Sequence, residues 1–448
     1  MTTTGLLFSI AFIASCILAL ARGPIYGLIA YVGVFYLNPP IRWWGQGILA
    51  DIRWSLLTAA VTVVALLIHR TRTPGAPFLR QPVVIGLCLL LLWMVVQLPW
   101  VLDRDLQLEV IEYYVKFVVA MYLIYSCVDS EGNLRLFLWA HVLGCFYFGW
   151  LVYTTYTGGR FDDFGGAGLK DANEVALTMG TAALAVGSLL LTARWPGRLT
   201  GVAVAPFIVN GLVATISRSA FLALVVGGAV YNWLTPARWR KWVFSLSALA
   251  VVLLLMLTTE SYWSRIQTIA MGGQVVEGVD TGMDRIAQWQ GQLRMFRDHL
   301  LGCGHHCTTI LSPSYFDSSI LDERAGVRSS HNTFLSMLVD HGVPGGLAYA
   351  ALLGWVLLTA RRLRRTLGRQ GTTAALYVPA VIGSLLAMFV GDMFVPFVRY
   401  EVRFWFVALL LVLLRFARHP SPDVPAVQTD SSNDQATTRV ASLRPDPR

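Results

Sequence analysis

VVIGLCLLLLWMVVQLPWVL, residues 83–102, continues for twenty residues without a charge. As a helix, rising about 1.5 Å per residue, it would cross the roughly 30 Å hydrocarbon layer of a bilayer. Comparable runs occur at 5–21, 24–37, 54–68, 110–128, 134–156, 174–192, 199–216, 219–235, 242–259, 343–360, 374–392 and 403–417. Together they predict an all-α, polytopic integral membrane bundle of about 12–13 transmembrane helices. Composition agrees: 55% of residues are hydrophobic and 14% charged, where a soluble chain carries about 25% charge. Runs 5–21 and 24–37 allow either a bent hairpin or a re-entrant segment. The first lacks a basic leader and a small-residue cleavage site, so it does not read as a removable signal.

Arginine outnumbers lysine 32 to 3, and its placement predicts topology. The loops at 69–80, 193–198, 236–241 and 361–369 are the basic ones and fall on one side of a thirteen-span bundle. The positive-inside rule makes that side cytoplasmic. The loops at 38–53, 103–109, 157–173 and 260–330 then face outward, and the C-terminus is cytoplasmic. The net charge of +9 is spread over short loops, which argues against nucleic-acid binding. Outward-side arginines run against this rule and are the ones that invite a functional reading: Arg160, Arg218, Arg265, Arg285, Arg294, Arg297, Arg324 and Arg328.

Three regions follow: an N-terminal transmembrane region at 1–156, a membrane core at 157–417 containing a large extracytoplasmic loop at 260–342, and a tail at 418–448. The tail is rich in Pro, Ser, Asp and Thr and is expected to be disordered. Within the large loop, Ile286, Trp289, Leu293, Phe296 and Leu300 form an apolar stripe, predicting an interfacial helix. A second short helix is expected over 331–340, capped by Ser329 or Ser330, with His331 sharing a face with Phe334, Leu335 and Leu338. Gly342, Pro344, Gly345 and Gly346 should break it before the next span. Cys303, His305, His306 and Cys307 are spaced too tightly for a common zinc pattern; a local disulfide or free thiols fit better. Asp162 and Asp163 lack the further oxygen ligands a metal needs. Arg218, between Ser217 and Ser219, is either a phosphate ligand or a snorkelling helix-end arginine. His331 is either a packing residue or a proton acceptor at the membrane boundary.

Arg328-Ser-Ser-His331-Asn332-Thr-Phe-Leu335, followed by Leu338-Val-Asp340-His-Gly342-Val-Pro-Gly345, resembles the signature of the O-antigen ligase and O-antigen polymerase superfamily. Ser217-Arg218-Ser-Ala-Phe-Leu-Ala-Leu224 is similar to its arginine-bearing span end. Arg285 with Trp289 and Met295-Phe296-Arg-Asp298-His-Leu-Leu-Gly302 resembles its loop helix, and Asp171-Ala-Asn173-Glu174 its asparagine motif. The first third, with Tyr36-Leu-Asn-Pro39 and Trp43-Trp44-Gly45, looks like exosortase-associated O-glycosylation ligases. Gly302-Cys-Gly-His-His-Cys307 departs from the family's usual glycine-rich turn.

The resemblance implies a metal-independent, inverting glycosyltransferase without cofactor, set in the bacterial inner membrane with its active site facing the periplasm. Its donor would be an undecaprenyl-diphosphate-linked glycan and its acceptor a glycan-accepting lipid or protein. Arg218 and Arg285 would hold the diphosphate, and His331 would take the acceptor proton with support from Asn332. Asn173, Asp340 and Arg160 are further candidates. A repeat-unit polymerase shares these features. A transporter of the same lipid-linked glycan would instead line a path through mid-membrane with its charges.

Overall fold

The computed structural model describes residues 2–69, 76–162, 164–169, 171–258, 282–321, 325–370 and 372–419. Arg70, Arg72, Asp163, Arg265, Arg324 and the tail beyond 419 lie outside the described residues. Every run expected to span is helical: α1 (Thr3–Arg22), α2 (Ile25–Leu37), α3 (Trp54–His69), α4 (Pro82–Val96), α5 (Arg104–Cys127), α6 (Glu131–Thr155), α7 (Ala172–Thr192), α8 (Trp195–Ala214), α9 (Arg218–Leu234) and α10 (Arg240–Leu257), then α13 (Thr333–Gln370), α14 (Val378–Gly391) and α15 (Glu401–Arg418). Two amphipathic helices, α11 (Gly282–Asp298) and α12 (Cys307–Tyr315), lie between α10 and α13. No β-sheet occurs among the described residues. Among the described residues, eight helices are long and apolar enough to cross a membrane, and four others are apolar but shorter. The chain is a polytopic helical membrane protein. The first two runs are separate helices that turn at Gly23-Pro24 and pack on each other and on α3.

The centre of the bundle is α15. It is buried without interruption from Val402 to Arg415 although that stretch includes two arginines, Arg403 and Arg415. Arg415 donates to the carbonyls of Tyr125, at 2.7 Å, and Val128. Arg403 pairs with Asp392, which also accepts from the Tyr349 hydroxyl. α9 and α14 approach through Gly227 and Gly383, where a Cβ on Gly227 would stand 2.9 Å from the Gly383 carbonyl oxygen. Small residues at a contact let two helix backbones meet, which lipid-embedded bundles use because tails and apolar side chains are equally oily.

The loops expected to share one side do gather at one end. Asn38 donates to the Gly165 carbonyl at 3.0 Å and Arg42 to that of Phe164 at 2.7 Å. The Leu102 amide donates to Cys303, and the His305 amide to the Gln107 side chain, both at 2.9 Å. At the opposite end, the basic loop after α9 meets the arginine-rich end of α13, with Arg364 over the Trp233 ring.

α4 stops at Val96 rather than running to residue 102; Gln97 follows it fully buried, its amide donating to the Leu301 and Asp340 carbonyls. α5 begins earlier than expected, capped by Asp103, whose carboxylate accepts from the Leu106 amide at 2.9 Å.

Candidate active site at one end of the bundle

α11, α12, the start of α13 and the loop before α7 form a crown on that end. The expected stripe on α11 is present and faces largely outward, with Trp289 and Phe296 half-buried and Phe296 packed against the Met295, Cys303 and Cys307 cluster. Ile286, Leu293 and Leu300 are exposed, whereas Gln288, Gln292 and Met295 are buried against the crown. Buried glutamine amides need partners. Gln292 donates to the Ser330 hydroxyl at 2.7 Å, tying α11 to the motif around His331. An outward apolar face suits a helix lying in the membrane interface.

The start of α13 corrects two expectations. The helix begins at Thr333, so His331 precedes it and shares no helical face with Phe334, which is exposed. Its cap is Asn332, not a serine: Asn332 Oδ1 accepts from the Leu335 amide at 3.0 Å. Ser330 braces this turn, accepting from the Asn332 amide and from Ser336. Asn332 is therefore 4% exposed and fixes the backbone just after His331. The expected break is real: Gly342 has φ 65 and interrupts α13. It faces Gly302, φ 77, so closely that a Cβ on either would lie 2.3–2.5 Å from the other strand's backbone. This pair joins the end of the α11 segment to the span; only glycine fits both the conformation and the approach.

Asn173 and Arg218 are brought together. Ser217 caps α9, accepting from the Ala220 amide, and donates to Asn173 Oδ1 at 2.7 Å. The Asp171 carboxylate caps α7, and Arg160 pairs with Asp162 at 3.1 Å and with Asp171 at 3.9 Å. Arg160 therefore braces the loop. Arg218 opens α9 and is half-buried. Arg285 lies over the Phe394 ring at 5.5 Å. The segment carrying Phe394 also holds the start of α13: the Thr333 amide donates to the Asp392 carbonyl, and the Thr333 hydroxyl to that of Val395, both at 2.7 Å. Arg285 and the residue pair His331–Asn332 thus sit on the same short segment.

Asp340 stands on the other side of the crown. Cys303 and Cys307 form a disulfide, and the turn they close carries His305 and His306 against it. His305 Nδ1 lies 3.5 Å from the Asp340 carboxylate, which accepts from the His306 amide at 3.2 Å. His306 has φ 62, a left-handed conformation unusual outside glycine. Its Nε2 is 3.0 Å from Arg399, which pairs with Glu109 at 2.7 Å. Guanidinium can only donate, so His306 Nε2 is the acceptor and its proton sits on Nδ1. Burial pushes His305 down to about 3, with the Arg399 charge adding to it. Burial and the neighbouring His305 lower His306 as well. Both rings are neutral at physiological pH. Arg399, Glu109, Asp392 and Arg403 were missed from the sequence. Each is a charge within or beside an apolar run, and that rarity is itself a signal.

Residues 201–350 match the family model described as O-Antigen ligase. The match covers α9, α11, α12, the His331 motif and the Gly302–Gly342 joint. That is a third of the chain, and it supports a relationship to the O-antigen ligase and polymerase superfamily. This superfamily comprises membrane enzymes that ligate or polymerise glycans, and the chain is a multi-pass bacterial membrane protein. No curated protein matches the chain at a significant level.

Proposed function

We propose that this protein is a glycosyltransferase of the inner membrane that moves a preassembled glycan from undecaprenyl diphosphate to an acceptor on the periplasmic side. The observation that carries the reading is the convergence of separate motifs at one end of the bundle. Ser217 links the Arg218 turn to Asn173, and the 392–397 segment links Arg285 to the His331 turn. A transporter would distribute such groups along the membrane depth.

In the reaction, an acceptor hydroxyl oxygen bonds to the anomeric carbon of the donor while the bond from that carbon to the diphosphate oxygen breaks. His331 takes the hydroxyl proton, and undecaprenyl diphosphate leaves. Arg218 and Arg285 bear on the diphosphate, where two fixed guanidinium forks stabilise the charge that grows as the bond breaks. Diphosphate is a good leaving group, so one base on the acceptor side is enough for an inverting displacement. Asn332 holds the His331 backbone, and Asn173 holds the turn that presents Arg218. The basic loops at the opposite end support a periplasmic placement of the crown through the positive-inside rule. The resemblance of the first third favours the O-glycosylation ligase branch.

The test is glycan transfer in reconstituted membranes from an undecaprenyl-diphosphate-linked donor, with chelator present, comparing wild type with His331→Ala at matched folded levels. Transfer should survive chelation and fall by about 10²–10⁴-fold in the variant. Equal rates in the two proteins would return His331 to a packing role. Given a single lipid-linked repeat, a ligase makes one transfer only after acceptor is added. A ladder of lengths would make it a polymerase.

A further inference from the structure

A cavity of about 360 Å³ lies at the end of the bundle opposite the crown, between the turn from α9 to α10 and the last turns of α13. Its floor is apolar: Leu234, Leu363 and Val378 line it and are buried. Its rim is basic, with Arg240 from the start of α10 and Arg364 and Arg365 from α13, all exposed. Among the described residues no carboxylate lines it. The volume is more than twice the roughly 150 Å³ that takes up a benzene ring, so a phosphorylated headgroup fits.

The positive-inside rule accounts for an excess of arginine at one end of the bundle, but not for these positions. A cation in the first turn of a helix opposes its dipole. α10 nevertheless opens with Arg240 and Lys241, without an acidic residue in that turn and without a side-chain cap. On α13, Arg361 and Arg365 stand four residues apart, where like charges repel. No ion pair joins Arg240, Arg364 or Arg365 to a carboxylate among the described residues; Arg364 stacks on the Trp233 ring at 4.5 Å. An uncapped helix start and guanidinium groups without a counter-charge favour the same ligand, an anion, and phosphate oxygens match the planar fork of arginine. Depth is the second observation. Trp233 and Trp242 are exposed at the adjoining ends of α9 and α10, and tryptophan in that position marks the headgroup level of a bilayer. A soluble anion would use only the rim, whereas the apolar floor suits the glycerol and upper acyl carbons of a lipid.

We infer that this cavity binds the phosphate headgroup of an anionic membrane lipid, with Arg240 and Arg365 on the phosphate and the apolar floor beneath the glycerol. The lipid bridges the start of α10 and the end of α13. The site is separate from the transfer chemistry and stands whether or not that reading holds.

The test uses the full-length protein, delipidated in neutral detergent and titrated with phosphatidylglycerol in mixed micelles. Bound lipid is counted by native mass spectrometry, and the unfolding midpoint is followed alongside. Phosphatidylcholine and inorganic phosphate are titrated in parallel. Arg240→Gln/Arg365→Gln is compared with Arg194→Gln/Arg198→Gln, which removes as many charges from the start of α8 at the same end. A third variant, Ala237→Trp, keeps every charge and puts an indole in the cavity, which Ala237 lines. Wild type should bind phosphatidylglycerol saturably and unfold at a higher temperature with it. Arg240→Gln/Arg365→Gln and Ala237→Trp should weaken binding about tenfold or more, and Arg194→Gln/Arg198→Gln by less than about threefold. Without lipid all four proteins should unfold at similar midpoints, because the substituted side chains are exposed. No saturable binding to folded wild type, or an equal loss in the two double variants, overturns the site. Equal affinity for phosphatidylcholine overturns its basis in charge. Inorganic phosphate binding as tightly as phosphatidylglycerol makes the source soluble and overturns the lipid assignment.

Discussion

The two halves of the crown hold polar groups by opposite means. Around Arg218, Arg285 and His331 the fixed parts are neighbours, and the side chains proposed to act stay half-buried at or beside helix ends. Around His305 and Asp340 the titratable groups themselves are buried and locked by a disulfide, a left-handed residue and glycine contacts. The first arrangement suits a charged, departing substrate that must be reached from water or lipid. The second suits a rigid joint between the crown and the bundle. The comparison teaches that residues recognised as a motif need not be the most buried ones.

The sharpest way to break the distinction is the buried pair beneath both halves. Asp392→Ala leaves Arg403 without its partner in the core and should destabilise the protein by about 3–5 kcal/mol, read as a lower thermal unfolding midpoint in detergent. It should also loosen the Thr333 turn, lowering transfer even at temperatures where the fold survives.

Arg218→Ala and Arg285→Ala come next. Each should lower turnover by about 10²–10³-fold while leaving the unfolding midpoint nearly unchanged, because both side chains are half-buried. Normal turnover in either would remove that arginine from the diphosphate.

A third test uses pH. An unfolded histidine gains a proton below the ordinary value of 6.5, whereas folded His305 resists until about 3. Between those limits the unfolded chain binds more protons, so His305 makes stability rise with pH, and the loss as pH drops is about 1.4 kcal/mol per unit. Unfolding curves of wild type and His305→Gln should therefore diverge as pH drops from about 6.5 and run parallel above it. Parallel curves throughout would mean His305 is not held neutral. The smallest effect is expected from Ser217→Ala, which removes the α9 cap and costs about 1 kcal/mol. Because it also frees Asn173, a loss of turnover larger than the loss of stability would tie that hydrogen bond to the placement of Arg218.

The spans were legible because uncharged runs near twenty residues have few other uses. The disulfide was legible as one of two alternatives, from cysteines outside the spans. α12 was not legible: Pro313 lies inside it and Ser and Thr dominate it, so neither propensity nor periodicity marks a helix there. The orientation of α11 was half legible. Its stripe was visible, but the buried face is made by Gln288, Gln292 and Met295, and of the stripe only Phe296 packs beside them. The cap of α13 was misassigned because Ser330 and Asn332 are both good caps two residues apart, and only the backbone decides between them. The basic cavity was invisible because its walls come from distant parts of the chain, from Leu234 to Val378.

The Gly302–Gly342 joint has a mechanical consequence. With backbone pressed on backbone and the Val343 amide donating to the Leu300 carbonyl at 2.9 Å, the joint has no room to act as a hinge. The end of the α11 segment and the start of the long span must travel as one lever. A bulky lipid-linked glycan can then gain entry by tilting that lever as a body or by moving the loop opposite, but not by peeling the crown away at its seam. Spin labels placed on either side of the joint should keep one fixed separation whether the enzyme is empty or loaded.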